Sequence, residues 1–465
     1  MCLSKTKFRG GYAFRRFKGN PGIQVVQHPI PAKGLFLFKK KDGKCLVKIG
    51  QEIEMGQGLA EGKVSRLYSS LKGRVSEIKF AKINCEEFYC FYIESDKRGS
   101  ENYRINRAKD LSSSAIEECL EAAHLMKISR MKSFLAQADS VGSVILHHGE
   151  ADVFCLKLES LISHIPKETL DRGAKIMESL FPNARLYLAV DKRKIRVLRL
   201  SGQDTSAYIL KGLSAKYPQA MDAPLAASVL GVKLNDINTA LDQGIFIITL
   251  QDMAAMVQAV ETGQYPLNRM IALAGPAMDN PCHALVRIGT PLSDIIDIKE
   301  GVRYIENSLL SGNQIDPAHF SVSLQTECII AVPEGPESEF LSFARPGLVK
   351  DSIVPVFMAS FLPVSKQAET NIHGEHRACL NCGYCSDVCP AGILPQMLHR
   401  YIERGMITEN LVHYRIYDCI ECGLCSYVCP SKIDLAFILS KGKSLLKEEA
   451  LAPEKILNQG AEKQK

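Results

Sequence analysis

The sequence lacks the long apolar runs that span a lipid bilayer. A membrane-spanning helix needs about 18–20 consecutive apolar residues. The longest candidate here, Ile353–Val364, is short and is broken by Pro355 and Pro363. The first residues of the sequence also lack the apolar core of a secretory signal. We therefore predict a protein that does not cross a membrane by itself.

Glycine is absent from residues 100–141. A loop that holds a nucleotide phosphate needs glycines, because residues without Cβ let backbone N–H groups approach the anion. Residues 125–135 read Leu-Met-Lys-Ile-Ser-Arg-Met-Lys-Ser-Phe-Leu and offer no such loop. The glycines of Gly56–Gly62 lie in a β-rich region, and their spacing differs from that of a dinucleotide-binding motif. A phosphate-binding loop is therefore not expected.

Net charge is small overall but uneven along the chain. The 465 residues carry a formal net charge of +6, while residues 1–50 contain twelve Lys and Arg and one acidic residue, Asp42. This basic arm is interpreted either as a solvated surface or as a docking surface for membrane subunits or anionic lipid. Nucleic acid is not expected, because no recognised binding motif accompanies the charge. The main residues of the basic arm are Arg9, Arg15, Arg16, Lys18, Lys39, Lys40 and Lys41.

Length and composition indicate a globular protein of roughly three domains. Apolar residues make up 46% of the chain and charged residues 23%, which excludes a largely disordered protein. The predicted fold class is α+β, multidomain. The predicted segments are a β-rich domain at 1–100, an α/β domain at 112–267, a β-rich domain at 268–350, a connector at 351–377, a helical cysteine-rich domain at 378–450 and a tail at 451–465.

Apolar segments punctuated by glycine and proline predict the strands, and capping residues predict the helix ends. Strands that alternate with helices between residues 112 and 300 indicate βαβ units and a parallel or mixed sheet. The predicted strands are Val25–Val26, Leu35–Phe38, Cys45–Ile49, Val75–Phe80, Ser143–Leu146, Leu186–Val190, Ile195–Leu200 and Gly244–Leu250. The predicted helices include Asp252–Glu261 before Gly263, Pro395–Arg404 before Gly405, and Leu435–Glu448.

Cysteine is abundant and clustered, with eight of sixteen lying between Cys379 and Cys429. They form two copies of C-x2-C-x2-C-x3-C-P, which is the spacing of bacterial ferredoxins. Three thiolates two residues apart wrap a tight loop around a cubane, and the proline sends the fourth cysteine to the neighbouring cluster. Two [4Fe–4S] clusters are predicted. Their expected ligands are Cys379, Cys382, Cys385 and Cys429 (first set) and Cys419, Cys422, Cys425 and Cys389 (second set).

A zinc ribbon is the alternative interpretation, because it also uses C-x2-C pairs. A four-ligand zinc site gives no reason for the third cysteine or for the trailing Cys-Pro, so iron–sulfur is favoured. The pair His147-His148 is predicted to end a strand rather than to bind metal, since neighbouring strand residues point to opposite faces. Eight cysteines share no ligand spacing and are predicted to be mostly core residues: Cys2, Cys45, Cys85, Cys90, Cys119, Cys155, Cys282 and Cys328.

The motif at residues 418–433, from Asp418-Cys-Ile-Glu-Cys through Cys429-Pro-Ser-Lys-Ile, resembles the second cluster motif of the C subunit of the Rnf electron-transport complex. Other stretches resemble the A subunit of the Na+-translocating NADH:quinone reductase (Nqr), a relative that usually lacks the cluster cysteines. The Rnf-like stretches are 8–11, 29–31, 216–219, 273–276 and 287–291, and the Nqr-like stretches are 334–347 and 370–375.

The resemblance implies the fold of three modules. Residues 1–100 are similar to a barrel-sandwich (lipoyl-like) domain without the Met-Lys hairpin of carrier proteins, 112–267 to a Rossmann-like domain, and 268–350 to a soluble-ligand-binding β-grasp (SLBB-like) domain. Flavin-binding relatives carry a Gly-Gly-Ala-Gly-Phe-Pro loop and a Glu-Cys-Glu-Pro stretch. Here the glycines are missing and the acidic stretch is reduced to residues 149–152. The resemblance therefore implies a degenerate flavin site, with FMN and NADH not expected as cofactors.

The resemblance also implies a function. It suggests a peripheral iron–sulfur subunit on the cytoplasmic side of the inner membrane, within a Na+-translocating NADH:quinone or ferredoxin:NAD oxidoreductase. Membrane-embedded subunits are the expected partners, ferredoxin and quinone are candidate ligands, and no catalytic residue is identified in this chain. Two alternatives stay open: a free-standing flavin- and NADH-dependent reductase similar to cobalamin reductase, and a structural or assembly subunit.

Overall fold

The computed structural model describes residues 8–14, 17–62, 66–83, 86–96, 108–126, 130–150, 152–334, 368 and 377–450. The predicted tail, nearly all of the predicted connector, the Nqr-like stretches beyond residue 334, and Arg15 and Arg16 of the basic arm lie outside these residues. The described residues divide into two compact units. The first contains those of Phe17–Ala215 and Ala240–Glu334, and the second those of Lys7–Arg16, Lys216–Thr239 and Gly335–Lys465.

The N-terminal part of the first unit consists of two small antiparallel sheets around one core. Strands β2, β8, β7 and β4 form one sheet, and β3, β5 and β6 form the other. Phe36, Leu59 and Phe91 are buried in the shared core. The strands are β1 (Val25–Gln27), β2 (Lys33–Lys39), β3 (Gly43–Cys45), β4 (Glu52–Ile53), β5 (Gly58–Gly62), β6 (Arg66–Tyr68), β7 (Gly73–Ile83) and β8 (Glu86–Ser95). The barrel-sandwich assignment stays a prediction.

Three lysines of the basic arm have acidic partners that the local sequence does not contain. Lys39 Nζ lies 2.5 Å from Glu86 Oε2, Lys41 also pairs with Glu86, and Lys40 Nζ lies 2.9 Å from Glu87 Oε2. Hydrogen bonds from Lys39 and Lys41 lower the pKa of Glu86 to about 2. The pairing of β2 with β8 thus compensates part of the charge excess that the first fifty residues show in sequence.

The middle of the first unit is an α/β layer with a four-stranded sheet in the order β11-β10-β9-β12. All three strand pairings are parallel, which agrees with the predicted βαβ units. At the start of helix α7, the Thr249 side chain accepts a hydrogen bond from the Asp252 N–H. The helix stops at Gly263, which has φ +66°, as predicted. The elements are α1 (Ser113–Ala122), α2 (Met131–Leu135), β9 (Ser143–His148), α3 (Leu158–Ile162), α4 (Thr169–Leu180), β10 (Arg185–Asp191), α5 (Ile195–Leu200), β11 (Ile209–Leu213), α6 (Asp222–Leu230, in the second unit), β12 (Ile245–Thr249) and α7 (Leu250–Thr262).

The strand predicted at Ile195–Leu200 is wrong, because this segment forms helix α5. Ile195 and Leu198 are buried, and a spacing of three places both on one helix face. Leu200, by contrast, is 76% exposed. The high content of apolar residues in this short segment favours a strand. The spacing of the buried ones, however, is that of a helix.

A second, six-stranded mixed sheet completes the first unit, in the order β1-β14-β13-β17-β15-β16. Its edge strand β1 comes from the N-terminal region and runs parallel to β14, with Val25 opposite His283. Strands β13 and β17 are also parallel, while the other pairs are antiparallel. The later strands are β13 (Asn268–Ala274), β14 (Cys282–Arg287), β15 (Val302–Glu306), β16 (Asn313–Gln314) and β17 (Cys328–Pro333). The β-grasp assignment stays a prediction.

The second unit is helical in its described part. Helices α9 and α12 pack against each other around a small apolar core that includes Leu398, Leu411 and Leu439. Helix α9 begins with Pro395 at its first turn and is followed by Gly405 with φ +67°, as predicted. The helices are α8 (Tyr384–Asp387), α9 (Pro395–Glu403), α10 (Glu409–His413), α11 (Leu424–Tyr427) and α12 (Leu435–Ala450). Residues 8–14 and 216–239, which the sequence places in earlier domains, group with this unit.

Candidate metal centre

The two cysteine motifs have the same backbone conformation. Asn381 and Glu421, each two residues after the first cysteine of its motif, are both left-handed with φ +54°. Gly383 and Gly423 follow with φ +83° and +77°, and each precedes a one-turn helix, α8 or α11. Left-handed residues turn the chain sharply, so the three leading cysteines of each motif lie on one tight loop. The motifs are structural copies as well as sequence copies.

The first predicted set surrounds a single cavity. Cys379, Cys382, Cys385 and Cys429 all line it, with about 350 Å³ of space not occupied by atoms, part of it open to solvent. Cys429 belongs to the second motif and reaches this cavity across the repeat. Burial, with smaller contributions from the neighbouring Cys382 and Cys429, raises the pKa of Cys385 to about 11. The structure therefore brings together the four residues that the spacing paired across the repeat.

The second predicted set is also brought together, and it is more deeply buried. Burial, with smaller contributions from the nearby Cys389 and Cys419, raises the pKa of Cys422 to about 12. Burial likewise raises the pKa of Cys425 well above its ordinary value, with contributions from Cys422, Cys419 and Cys389. Thiols with such pKa values ionise readily only beside a compensating positive charge, which metal binding supplies while releasing protons.

Among the described residues, no three His, Cys, Asp or Glu side chains converge as they would on a single metal ion. A [4Fe–4S] cluster contains four separate iron atoms, and four thiolates hold it. Its ligands therefore surround the cluster body instead of meeting at one point. Four cysteines line one cavity in the first set, as the ligands of such a cluster would.

Comparisons with known proteins agree with this chemistry. A family model described as a 4Fe-4S dicluster domain matches residues 375–433. The A subunit of the Na(+)-translocating NADH-quinone reductase of Pseudomonas aeruginosa (strain UCBPP-PA14) is 25% identical over 371 residues, covering 77% of this chain and 79% of that protein. The C subunit of an ion-translocating oxidoreductase complex of Erwinia tasmaniensis is 23% identical over 421 residues, covering 86% of this chain and 48% of that protein. The chain is a homologue of both subunits.

The two relationships differ in extent. The chain spans about half the length of the C subunit of Erwinia tasmaniensis, but most of the length of the A subunit. Among solved structures, the NAD+-reducing [NiFe]-hydrogenase in its air-oxidized state has a TM-score of 0.38 and 12% identity, covering 48% of this chain and 47% of that one.

Two stretches that mark the resemblance to the Rnf C subunit lie directly against the second set. The Tyr217 hydroxyl donates a 2.7 Å hydrogen bond to the backbone oxygen of Cys422, and the Gly11 N–H donates to the Val388 oxygen at 2.8 Å. Gly10 has φ +64°, and a Cβ there would lie 2.6 Å from the Cys389 oxygen, so only glycine fits. The sequence alone does not indicate these contacts, because the stretches lie far from the motifs along the chain.

An acidic residue next to the second set ties segment 216–239 to the cysteine motif. The Asp418 carboxylate accepts hydrogen bonds from Asn235 Nδ2 at 2.8 Å, Lys233 Nζ at 2.5 Å and Arg415 Nε at 2.5 Å. Burial opposes the charge of Asp418, yet these three donors lower its pKa below the ordinary value. Because Asp418 immediately precedes Cys419, the network fixes the backbone at the start of the second motif.

At the edge of the parallel sheet, the acidic residue Glu150, which follows β9, has internal partners. Glu150 Oε1 accepts the Leu158 N–H at 2.7 Å, and Glu150 Oε2 lies 3.4 Å from Lys194 Nζ. His148 ends β9 as predicted, and burial lowers its pKa to about 4, so that neutral Nε2–H donates to the Leu156 oxygen. These groups hold loop and helix together in the described structure.

Of the six other cysteines that are described, Cys90, Cys119 and Cys328 are buried, and Cys45, Cys155 and Cys282 are partly buried. Cys2 and Cys85 lie outside the described residues. The described members agree with the prediction that these cysteines are mostly core residues, because none is fully exposed.

Proposed function

We propose that this chain is a peripheral iron–sulfur subunit that carries electrons within a membrane-bound, cation-translocating oxidoreductase of the Nqr or Rnf type. The observation that supports the proposal is the position of the fourth cysteine of each motif, and we interpret it as an exchange of ligands between the motifs. Cys429 of the second motif lines the cavity of the first, and Cys389 of the first motif lies with the second set. Exchange of this kind keeps two cluster sites close together, as an electron-transfer path requires.

In this proposal, the thiolates of Cys379, Cys382, Cys385 and Cys429 hold the first cluster. The thiolates of the second set, defined above, hold the second cluster. Each cluster, when bound, accepts and donates one electron at a time. The protein groups around it fix the ligands, exclude water and set the local charge.

The two sites differ in exposure, which suggests their order in the path. Cys382 of the first set is exposed and Cys379 is partly exposed, whereas Cys419 and Cys422 of the second set are buried. A redox partner therefore approaches the first site more closely than the second from the solvent side of the second unit. We propose that the first cluster exchanges electrons with a diffusing or docked partner and the second passes them on.

The remaining parts of the proposal come from the relatives. Their names include Na(+)-translocating NADH-quinone reductase and ion-translocating oxidoreductase. Membrane-embedded partner subunits, Na+ coupling, a location on the cytoplasmic side of the membrane, and quinone or ferredoxin as a ligand are proposed for this chain on that basis. No helix in the described parts of the chain is long and apolar enough to cross a bilayer.

The proposal predicts a protein without its own flavin. The full chain, purified anaerobically with its clusters, should contain no stoichiometric FMN and should not oxidise NADH above the buffer rate, because residues 100–141 contain no glycine to form a phosphate loop. Dithionite should nevertheless reduce the clusters, which can be followed as bleaching of their visible absorbance. Stoichiometric FMN with NADH oxidation would favour a free-standing reductase instead.

A further inference from the structure

Lys443 of helix α12 is a buried ammonium group beside the second set. Its side chain is 5% exposed, and Nζ donates to the backbone oxygen of Cys419 at 2.8 Å, to Glu421 Oε1 at 2.7 Å and to Asp236 Oδ2 at 3.0 Å. These three acceptors use all three N–H groups. Burial opposes the charge, but Glu421 and Asp236 outweigh it and raise the pKa of Lys443. A fixed positive charge therefore lies against the main chain of a cysteine of the second set.

The two carboxylates that pair with Lys443 are less buried than it is. Glu421 and Asp236 are more exposed than Lys443, at 43% and 25%, so water screens them more strongly. Asp236 Oδ2 is also shared with Lys447 Nζ at 2.8 Å. Of these charged groups, Lys443 is the one whose charged atom hydrogen-bonds to the main chain of Cys419.

The position in the first repeat that matches Lys443 is occupied by an acidic residue. Forty residues before Lys443, the matching position is Glu403, which is 49% exposed and pairs with His399 at 2.9 Å. The polar neighbour of the first set is a neutral amide, with Cys385 Sγ lying 3.2 Å from Gln396 Oε1. The two motifs therefore share their backbone conformation and differ in charge at this matched position.

We infer that Lys443 is a positioning residue that raises the reduction potential of the second cluster and so draws the electron from the first site to the second. The inference rests on the proposed function. Reduction adds one electron to a cluster and moves no atom, so a nearby buried cation stabilises the reduced form more than the oxidised form. A higher potential at the second site makes transfer from the more exposed first site favourable.

The test is a potentiometric titration of the anaerobically purified full chain, followed by electron paramagnetic resonance. Lys443→Met should lower the potential of one of the two one-electron waves by about 59 mV. This shift corresponds to about a tenfold change in the ratio of reduced to oxidised cluster at a given potential. Glu421→Gln should shift the same wave upward, because it removes a negative charge. Lys441→Met, an exposed position on the same helix, should shift neither wave, and Lys443→Arg should restore the original value.

The wave of the second cluster is assigned with the double variant Cys389→Ser/Cys425→Ser, in which it should be missing. Unchanged waves in Lys443→Met with both clusters present, or a shift of the first wave alone, would overturn the inference. If Lys443→Met does not retain the second cluster, the potential of that cluster in Glu421→Gln is the test. A second wave that is unshifted in Glu421→Gln contradicts the inference. A wild-type protein without reducible clusters would instead refute the proposed function itself.

Discussion

Replacing Cys389 and Cys425 together by serine should remove one cluster and leave the other. Although the two residues come from different motifs, both lie in the second set with Cys419 and Cys422. Wild-type protein should contain about eight iron and eight sulfide per chain, and this double variant about four of each. Iron and sulfide analysis of anaerobically purified protein measures the difference.

The matched control is Cys385→Ser/Cys389→Ser, in which both substitutions fall in one motif. Here each set loses one ligand, because Cys385 lines the first cavity and Cys389 lies with the second set. We expect both clusters to be impaired and iron to fall well below about four per chain. If each motif instead held its own cluster, Cys385→Ser/Cys389→Ser would lose one cluster and keep the other. Cys389→Ser/Cys425→Ser would then impair both clusters. Two zinc ions per wild-type chain would exclude the iron–sulfur assignment altogether.

Removal of the clusters should unfold the described helical part of the second unit and leave the first unit folded. The helical core of residues 377–450 is small, and a core of that size rarely supplies more than about 3–5 kcal/mol. Without metal, the second unit also buries thiols that no longer hold the chain together. The first unit keeps its parallel sheet and a much larger apolar core.

Hydrogen exchange measured by mass spectrometry tests this prediction on the full chain. After the clusters are removed with a chelator under oxidising conditions and the protein is returned to reducing buffer, amides of α9 and α12 should exchange about a hundredfold faster or more, which corresponds to a loss of about 3 kcal/mol. Amides of β9 and β12 serve as the internal control and should keep their rates. Full protection of α9 and α12 in the cluster-free protein would mean that the helices fold without metal.

The tight loop of each cysteine motif was predictable from sequence because ligand spacing is a local property. Three cysteines two residues apart, followed by Cys-Pro, specify a loop and an exchanged ligand without reference to the rest of the chain. The parallel strands β9, β10 and β12 and the helix that ends at Gly263 were likewise predictable, since their periods and caps lie within one segment.

Other features depend on residues that are far apart in sequence. The burial of Lys443 requires Asp236 and Glu421 as partners. The helix contains several lysines, and its sequence alone does not distinguish Lys443 from the others. The contact of Tyr217 with Cys422 spans about two hundred residues, so motif spacing carries no signal for it. The pairing of Lys39 with Glu86 depends on the register between β2 and β8, two strands far apart in sequence, so the first fifty residues alone do not indicate it.

The most direct test of the central claim is a redox titration of the intact protein. If the chain carries electrons, the two clusters should take up two electrons in two separate one-electron steps, and the paramagnetic signals of the reduced clusters should broaden each other because the exchanged cysteines keep the sites close. Both steps should be reversible and complete without added flavin. If the clusters are present at full iron content but dithionite does not reduce them, the account is contradicted. The clusters would then have a structural role.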